Sequence, residues 1–153
     1  MIDINNINDL FIQRLIQTAC QAGDEIMEVY HTDFEVYTKD DKSPLTEADK
    51  RANALIESKL HEITPKIPIL SEEGIDVDYK IRSDWDQYWL VDPLDGTKEF
   101  IKKNDEFTVN IALIDNCLPV LGVVYAPALN VLYWGGSNQN SYKLANGKKK
   151  VIN

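Results

Sequence analysis

Apolar residues recur at helical spacing from Asn8 to Tyr30: Phe11, Leu15, Ala19, Ala22, Ile26 and Tyr30 form one row, and Ile12, Ile16, Cys20 and Met27 widen it. So broad a stripe predicts an amphipathic helix with one buried face. Phe34 to Thr38 reads as a short strand, and Lys39-Asp-Asp-Lys-Ser-Pro44 as a loop by composition. A second helix is predicted from Thr46, with Ala48, Ala52, Leu55, Ile56, Leu60 and Ile63 on its apolar face and Pro65 at its end. Thr46 followed by Asp49 has the form of a capping box, with Asp in place of Glu. Ile67 to Leu70 predicts a short buried strand entering the acidic turn Ser71-Glu-Glu-Gly74, and residues 75–86 read as a surface loop.

The period then changes from helical to alternating. Tyr88 to Val91 predicts a buried strand, and Phe107, Val109, Ile111 and Leu113 alternate with Thr108, Asn110 and Ala112. Asp115-Asn116 supplies a turn, Val120 to Tyr125 a returning strand, and Val131 to Trp134 a third. Lys148-Lys149-Lys150 after Asn146-Gly147 reads as a solvated turn. Two helices followed by a meander predict an α+β fold, two helices packed on an antiparallel sheet.

Length and charge narrow the function. The chain has 153 residues, enough for one domain or part of a larger one, with 16 Lys+Arg against 25 Asp+Glu and a formal net charge of −9. That charge argues against a nucleic-acid polymer as partner, and a phosphate ligand would need a cation to hold it. Cys20 and Cys117 lie far apart with no ligand pattern around them, as expected of two reduced, mostly buried thiols in a cytoplasmic protein. No apolar run reaches the roughly 18 residues of a membrane span, and the first ten residues carry no Lys or Arg to open a signal peptide.

Two acidic clusters stand apart because each follows a predicted buried strand: Glu72-Glu73, and Asp92-Pro-Leu-Asp95-Gly-Thr97. Carboxylates gathered this way repel unless protonated or bridged by cations. An oxygen-only set favours Mg²⁺ or Mn²⁺ over zinc. Pro93 fixes one φ and Gly96 frees another, so Asp92 and Asp95 can wrap one point with the Leu94 carbonyl. Gly96 and Thr97 would open a helix whose free N–H groups suit a phosphate oxygen. Metal ions beside such a helix start form a phosphomonoester site. Taken singly, these features have plain explanations. A D-x-x-D-G-T string is often only a capped turn, Glu72-Glu73 a solvated loop, and Asp49 the acid of a capping box. Their joint occurrence at strand ends favours a site.

The segments LTEADKRAN, LSEEG, WLVDPLDGTKEFI and EFTVNIALI closely resemble the inositol monophosphatase superfamily of metal-dependent, lithium-sensitive phosphatases. Within it, SPLTEAD and DPLDGTKEFI followed by EFTVNIALI look most like 3′(2′),5′-bisphosphate nucleotidases of the bacterial CysQ type. The resemblance implies the N-terminal half of a layered αβαβα sugar-phosphatase fold. It also implies Mg²⁺-dependent hydrolysis of adenosine 3′,5′-bisphosphate to AMP and phosphate, which clears a by-product of sulfate assimilation. Two or three Mg²⁺ ions are expected, with Mn²⁺ as a substitute and Li⁺ as an inhibitor. By the same resemblance Glu72, Asp92 and Asp95 are metal ligands, with Leu94 contributing its backbone carbonyl. Thr97, hydrogen-bonded to Asp49, would activate the attacking water, and Glu72 counts with these two as catalytic. Glu72, Leu94, Asp95, Gly96 and Thr97 would bind substrate, while Glu73 would support the ligands from behind. Lys39 or Lys42 would reach the site from the loop before the second helix.

Members of the family are longer, and their C-terminal half adds an aspartate in a W-D-x-A context. None follows the acidic motifs here; Trp85-Asp86 precedes the Asp92–Thr97 motif. Residues 1–153 are therefore expected to be the N-terminal metal-binding α+β domain, with the C-terminal domain absent. Two other readings remain open: an inositol or sugar phosphatase, and a non-catalytic metal-binding domain that serves assembly. Homodimers and peripheral association with the inner membrane are compatible with the family. His31 and His61 read as surface residues, and Trp85, Trp89 and Trp134 as core or sheet aromatics.

Overall fold

A computed structural model describes residues 1–3, 7–39 and 44–152. Helix α1 (Asp9–Tyr30) starts at Asn8, whose side chain accepts the Phe11 N–H at 2.9 Å. It buries Ile12, Leu15, Ala19, Ala22 and Ile26. A small antiparallel pair follows, β1 (Val36–Thr38) with β2 (Pro44–Thr46). The strand expected at Phe34 thus begins two residues later, and its three residues are exposed because it lies outside the main sheet. Lys42 and most of the loop expected at 39–44 lie outside the described residues.

Helix α2 (Glu47–Ile63) begins at the expected Thr46–Asp49 capping box and ends one residue before Thr64, its C-cap. It packs on α1, and the two helices lie on one face of a seven-stranded sheet, α1 against β5 (Thr108–Asp115) and β6 (Leu118–Ala126), α2 against β4 (Gln87–Asp95). Gly23 lets α1 approach closely, since a Cβ there would stand 2.4 Å from the Tyr125 ring. Strand order follows the chain: β3 (Ile69–Ser71), β4, β5, β6, β7 (Val131–Gly136), β8 (Gln139–Ala145) and β9 (Lys148–Ile152).

The α+β class is as expected, but the sheet is mixed. β3 runs parallel to β4, whereas every later neighbour is antiparallel. Alternation sorts the two faces. Trp89, Val91, Val109, Ile111, Leu113, Leu121 and Val123 face the helices and are buried, while Leu90 and Val124 on the other face are 44% and 39% exposed.

Other features also depart from the sequence reading, among them strand β8, which that reading does not contain. Residues 79–82 form a short helix, α3 (Tyr79–Arg82), capped by Asp78 and too brief for periodicity to reveal. Asn146-Gly147 is a turn, with φ of 51° and 69°, but Lys148 to Lys150 belong to edge strand β9 rather than to that turn. The lysines tolerate an edge because it is solvated, and they oppose pairing with another chain. Cys117 is exposed rather than buried, since it sits with Asn116 at positive φ in the β5–β6 turn; Cys20 is half-buried. No helix among the described residues is long and apolar enough to cross a membrane.

Candidate active site

The parallel pairing of β3 with β4 decides where the acids fall. Ser71 is in register with Val91, and the Glu72 N–H donates to the Val91 carbonyl at 3.1 Å, so Glu72 leaves β3 beside Asp92 on β4. Asp92 is not past the strand end, as the sequence suggested, but inside a strand that continues to Asp95. Between the two the register against β5 shifts: Asp92 faces Asn110, and Asp95 already faces Thr108. Pro93 and Leu94 occupy that bulge, and both are buried. Asn110 donates through Nδ2 to Asp95 Oδ2 at 3.1 Å, and the Thr108 hydroxyl donates to Asn110 Oδ1 at 3.0 Å.

A second group forms where the N-terminus of α2 meets the start of α4 (Thr97–Ile101). The chain turns into α4 at Gly96, whose φ is +93° and where a Cβ would stand 2.8 Å from the Glu106 carbonyl; only glycine meets both conditions. The turn brings the Thr97 hydroxyl within 3.1 Å of Asp49 Oδ1 and 3.2 Å of the Leu94 carbonyl. The other oxygen of Asp49 accepts the Thr46 N–H at 2.8 Å and the Thr46 hydroxyl at 2.6 Å. Asp49 is 1% exposed and thus has two duties, capping its helix and holding Thr97.

The electrostatics are those of crowded acids. Burial raises the Asp92 carboxyl to about 7, helped by the charges of Glu72 and Asp95. Its Oδ1 is buried and has no hydrogen-bond partner among the described residues. Burial also raises Asp49, against the lowering effect of its bonds from Thr46 and Thr97. Glu73 is raised by burial and pulled back by Lys39, with which it forms an ion pair. Among the described residues no three of His, Cys, Asp and Glu converge closely enough to enclose an ion by themselves. An orphaned carboxylate oxygen within an all-oxygen donor set nonetheless fits a hard divalent cation, which would supply the missing partner.

The structure therefore brings together Asp49, Thr97 and Leu94 in one group and Glu72 with Asp92 in another, with Asp95 turned toward Asn110. Glu73 is held by Lys39. His31 and His61 are exposed, and Trp89 is buried with its Nε1 donating to Thr64 Oγ1 at 2.8 Å. Asn110 was not singled out from the sequence, where it is only a polar position in an alternating strand. Neither was Asn53, whose Oδ1 accepts the Ser71 hydroxyl at 2.6 Å and ties the turn before Glu72 to α2. Its place one helical turn after Asp49 was the available signal.

The inositol monophosphatase family model matches residues 8–151. The chain belongs to the inositol monophosphatase family. It is 50% identical over 143 residues to the 3′(2′),5′-bisphosphate nucleotidase CysQ of Escherichia coli O6:H1, covering 92% of this chain and 57% of that protein. It is 47% identical over 153 residues to the CysQ of Buchnera aphidicola subsp. Acyrthosiphon pisum, covering 98% of this chain and again 57% of the relative. The crystal structure of CysQ from Bacteroides thetaiotaomicron, a bacterial member of the same family, superposes with a TM-score of 0.75 at 46% identity, covering 88% of this chain and 48% of that one. The chain thus spans about half the length of these inositol monophosphatase family members.

Proposed function

We propose that this chain carries the water-activating and metal-binding part of a Mg²⁺-dependent phosphomonoesterase that hydrolyses adenosine 3′,5′-bisphosphate to AMP and phosphate. The observation that carries this reading is the Thr97–Asp49 contact beside the acids Glu72, at the end of β3, and Asp92 and Asp95 of β4. Thr97 alone is a poor proton acceptor. With its proton directed to Asp49 Oδ1, its oxygen can accept a hydrogen bond from a water and orient it toward phosphorus. Burial makes Asp49 a stronger base than an exposed aspartate, which favours drawing that proton inward. Glu72, Asp92, Asp95 and the Leu94 carbonyl would hold the cations, and the backbone at Gly96 and Thr97 would receive phosphate oxygens. Bound Mg²⁺ would supply Lewis-acid charge toward those oxygens and toward the leaving group. The named activity of the half-identical relatives supports this substrate.

The test is phosphate release from adenosine 3′,5′-bisphosphate by the purified chain, with Mg²⁺ and with EDTA. Release that needs Mg²⁺ and is lost in Asp92→Asn and Asp95→Asn is the expected result. Release that survives EDTA or either substitution would overturn the ligand assignment, and faster release from inositol 1-phosphate would move the substrate to a sugar phosphate.

One observation favours a second reading. Leu90 and Val124 lie exposed on the sheet face opposite the helices, beside a groove of about 550 Å³ that also reaches Glu72, Asp92 and Asn110. An apolar face of that kind fits a chain that works only when another polypeptide covers it. In that case the isolated chain releases no phosphate from any phosphomonoester and associates in solution.

A further inference from the structure

Glu72 and Glu73 are neighbours in sequence but not in circumstance. The Glu73 side chain is 10% exposed and ion-paired to Lys39, whereas Glu72 is 56% exposed with its Oε1 3.6 Å from the same ammonium. Lys39 follows β1 directly and is itself only 20% exposed on its side chain. Asp92, beside Glu72 across the β3–β4 pairing, keeps an oxygen without a hydrogen-bond partner among the described residues. A buried carboxylate holds its charge when hydrogen bonds or a cation lie against it, and for Glu73 Lys39 is that cation. A cation near Glu72 has the opposite consequence for metal binding, because it sits where a divalent ion's own field must act.

We propose that Lys39 is a positioning residue that divides the Glu72–Glu73 pair, neutralising Glu73 while competing with the divalent cation for Glu72. The inference rests on the metal-binding reading given above. Glu73 is the anchor that holds the ammonium back from Glu72. Taking away the ammonium strengthens metal binding. Taking away the anchor weakens it, since Lys39 then pairs with Glu72.

The experiment is a calorimetric titration of the metal-free chain with Mn²⁺, comparing the wild type, Lys39→Met, Glu73→Gln and the double variant. Lys39→Met should bind Mn²⁺ roughly tenfold more tightly and Glu73→Gln roughly tenfold more weakly, with the double variant within about threefold of the wild type. Lys39→Arg keeps the charge and should keep the wild-type affinity. Because Lys39→Met leaves Glu73 buried without a cation, Lys39→Gln is run beside it and should also bind more tightly. Without metal, Lys39→Met should lower the melting temperature, and that loss should disappear in the Glu73→Gln background. Unchanged or weaker Mn²⁺ binding in both uncharged variants would overturn this inference alone. No Mn²⁺ binding by the wild type would overturn it together with the metal-binding reading.

Discussion

The Thr97 hydroxyl lies 3.1 Å from Asp49 Oδ1, joining the first residue of a five-residue helix to the first turn of a helix 48 positions earlier. The other oxygen of the same carboxylate is fully engaged by Thr46. The two substitutions at this contact should therefore differ. Thr97→Ala removes one partly exposed hydrogen bond and should cost about 1 kcal/mol of stability, but lower turnover at least a hundredfold. Asp49→Asn also disturbs the capping box and should cost about 1–2 kcal/mol. Thermal melts read beside phosphate release separate the two effects. An equal loss of metal affinity and turnover in Thr97→Ala would make that residue structural.

Asp92 should make the metal-free chain less stable as pH rises. Its carboxyl moves from an ordinary 3.8 to about 7 on folding, so between those values the folded state holds more protons than the unfolded state. Stability then falls with rising pH across that window. Solvent screening at this half-exposed group leaves an effect on the order of 1 kcal/mol. Asp92→Asn should therefore raise the melting temperature of the metal-free chain by about 2–4 °C at pH 8 and little at pH 4. Mg²⁺ should stabilise the wild type more at pH 8 than at pH 5, because at low pH it must displace a proton. A pH-independent response to Asp92→Asn would contradict the burial of that charge.

Glu72→Gln should damage ion binding far more than Glu73→Gln. Glu72 stands at the strand end beside Asp92, while Glu73 is turned to Lys39. A loss of at least a hundredfold in Mn²⁺ affinity is expected for Glu72→Gln, against roughly tenfold for Glu73→Gln. The reverse order would exchange their roles.

Two glycines with positive φ give an internal control on the turn that presents Thr97. Gly96→Ala meets both the left-handed backbone and the Glu106 carbonyl 2.8 Å away, and should cost about 2 kcal/mol or more, some 4–8 °C. Gly147→Ala has φ +69° but nothing within 4 Å, and should cost only about 1 kcal/mol. Melting curves of the two variants check the order.

Helices α1 and α2, the capping box and strands β4 to β7 were legible because their cues are local: period, cap residues and turn chemistry. The end of β3 that bears Glu72 was legible for the same reason, whereas Asp92 was read one strand end too early, because β4 runs on through the Pro93-Leu94 bulge to Asp95. The proximity of the two acids was not legible, since it depends on β3 running parallel to β4, and no side-chain pattern encodes the direction of a three-residue strand. β8 was missed because Gln139 to Tyr142 are polar or half-buried, and β9 because its lysines resemble a solvated turn until the sheet beside them is known. Asn110 looked like any polar position of a strand with one wet face, and only the bulge at Pro93-Leu94 aims Asp95 at it.

The one parallel junction in the sheet also acts as a ruler. In an antiparallel pair, strand exits point in opposite directions, and a Glu and an Asp leaving two neighbouring strands would be separated by a strand's length. With β3 and β4 pointing the same way, Glu72 leaving β3 lies level with Asp92 inside β4, at the spacing of the peptide ladder, about 4.8 Å. Side chains reaching inward from that span can meet on a single small ion, whose oxygen contacts are about 2.0–2.1 Å long. The bite of the pair is thus set by a repeat common to all sheets, and side-chain exchange at Glu72 or Asp92 alters the charge presented there while the main-chain hydrogen bond between Glu72 and Val91 keeps the gap.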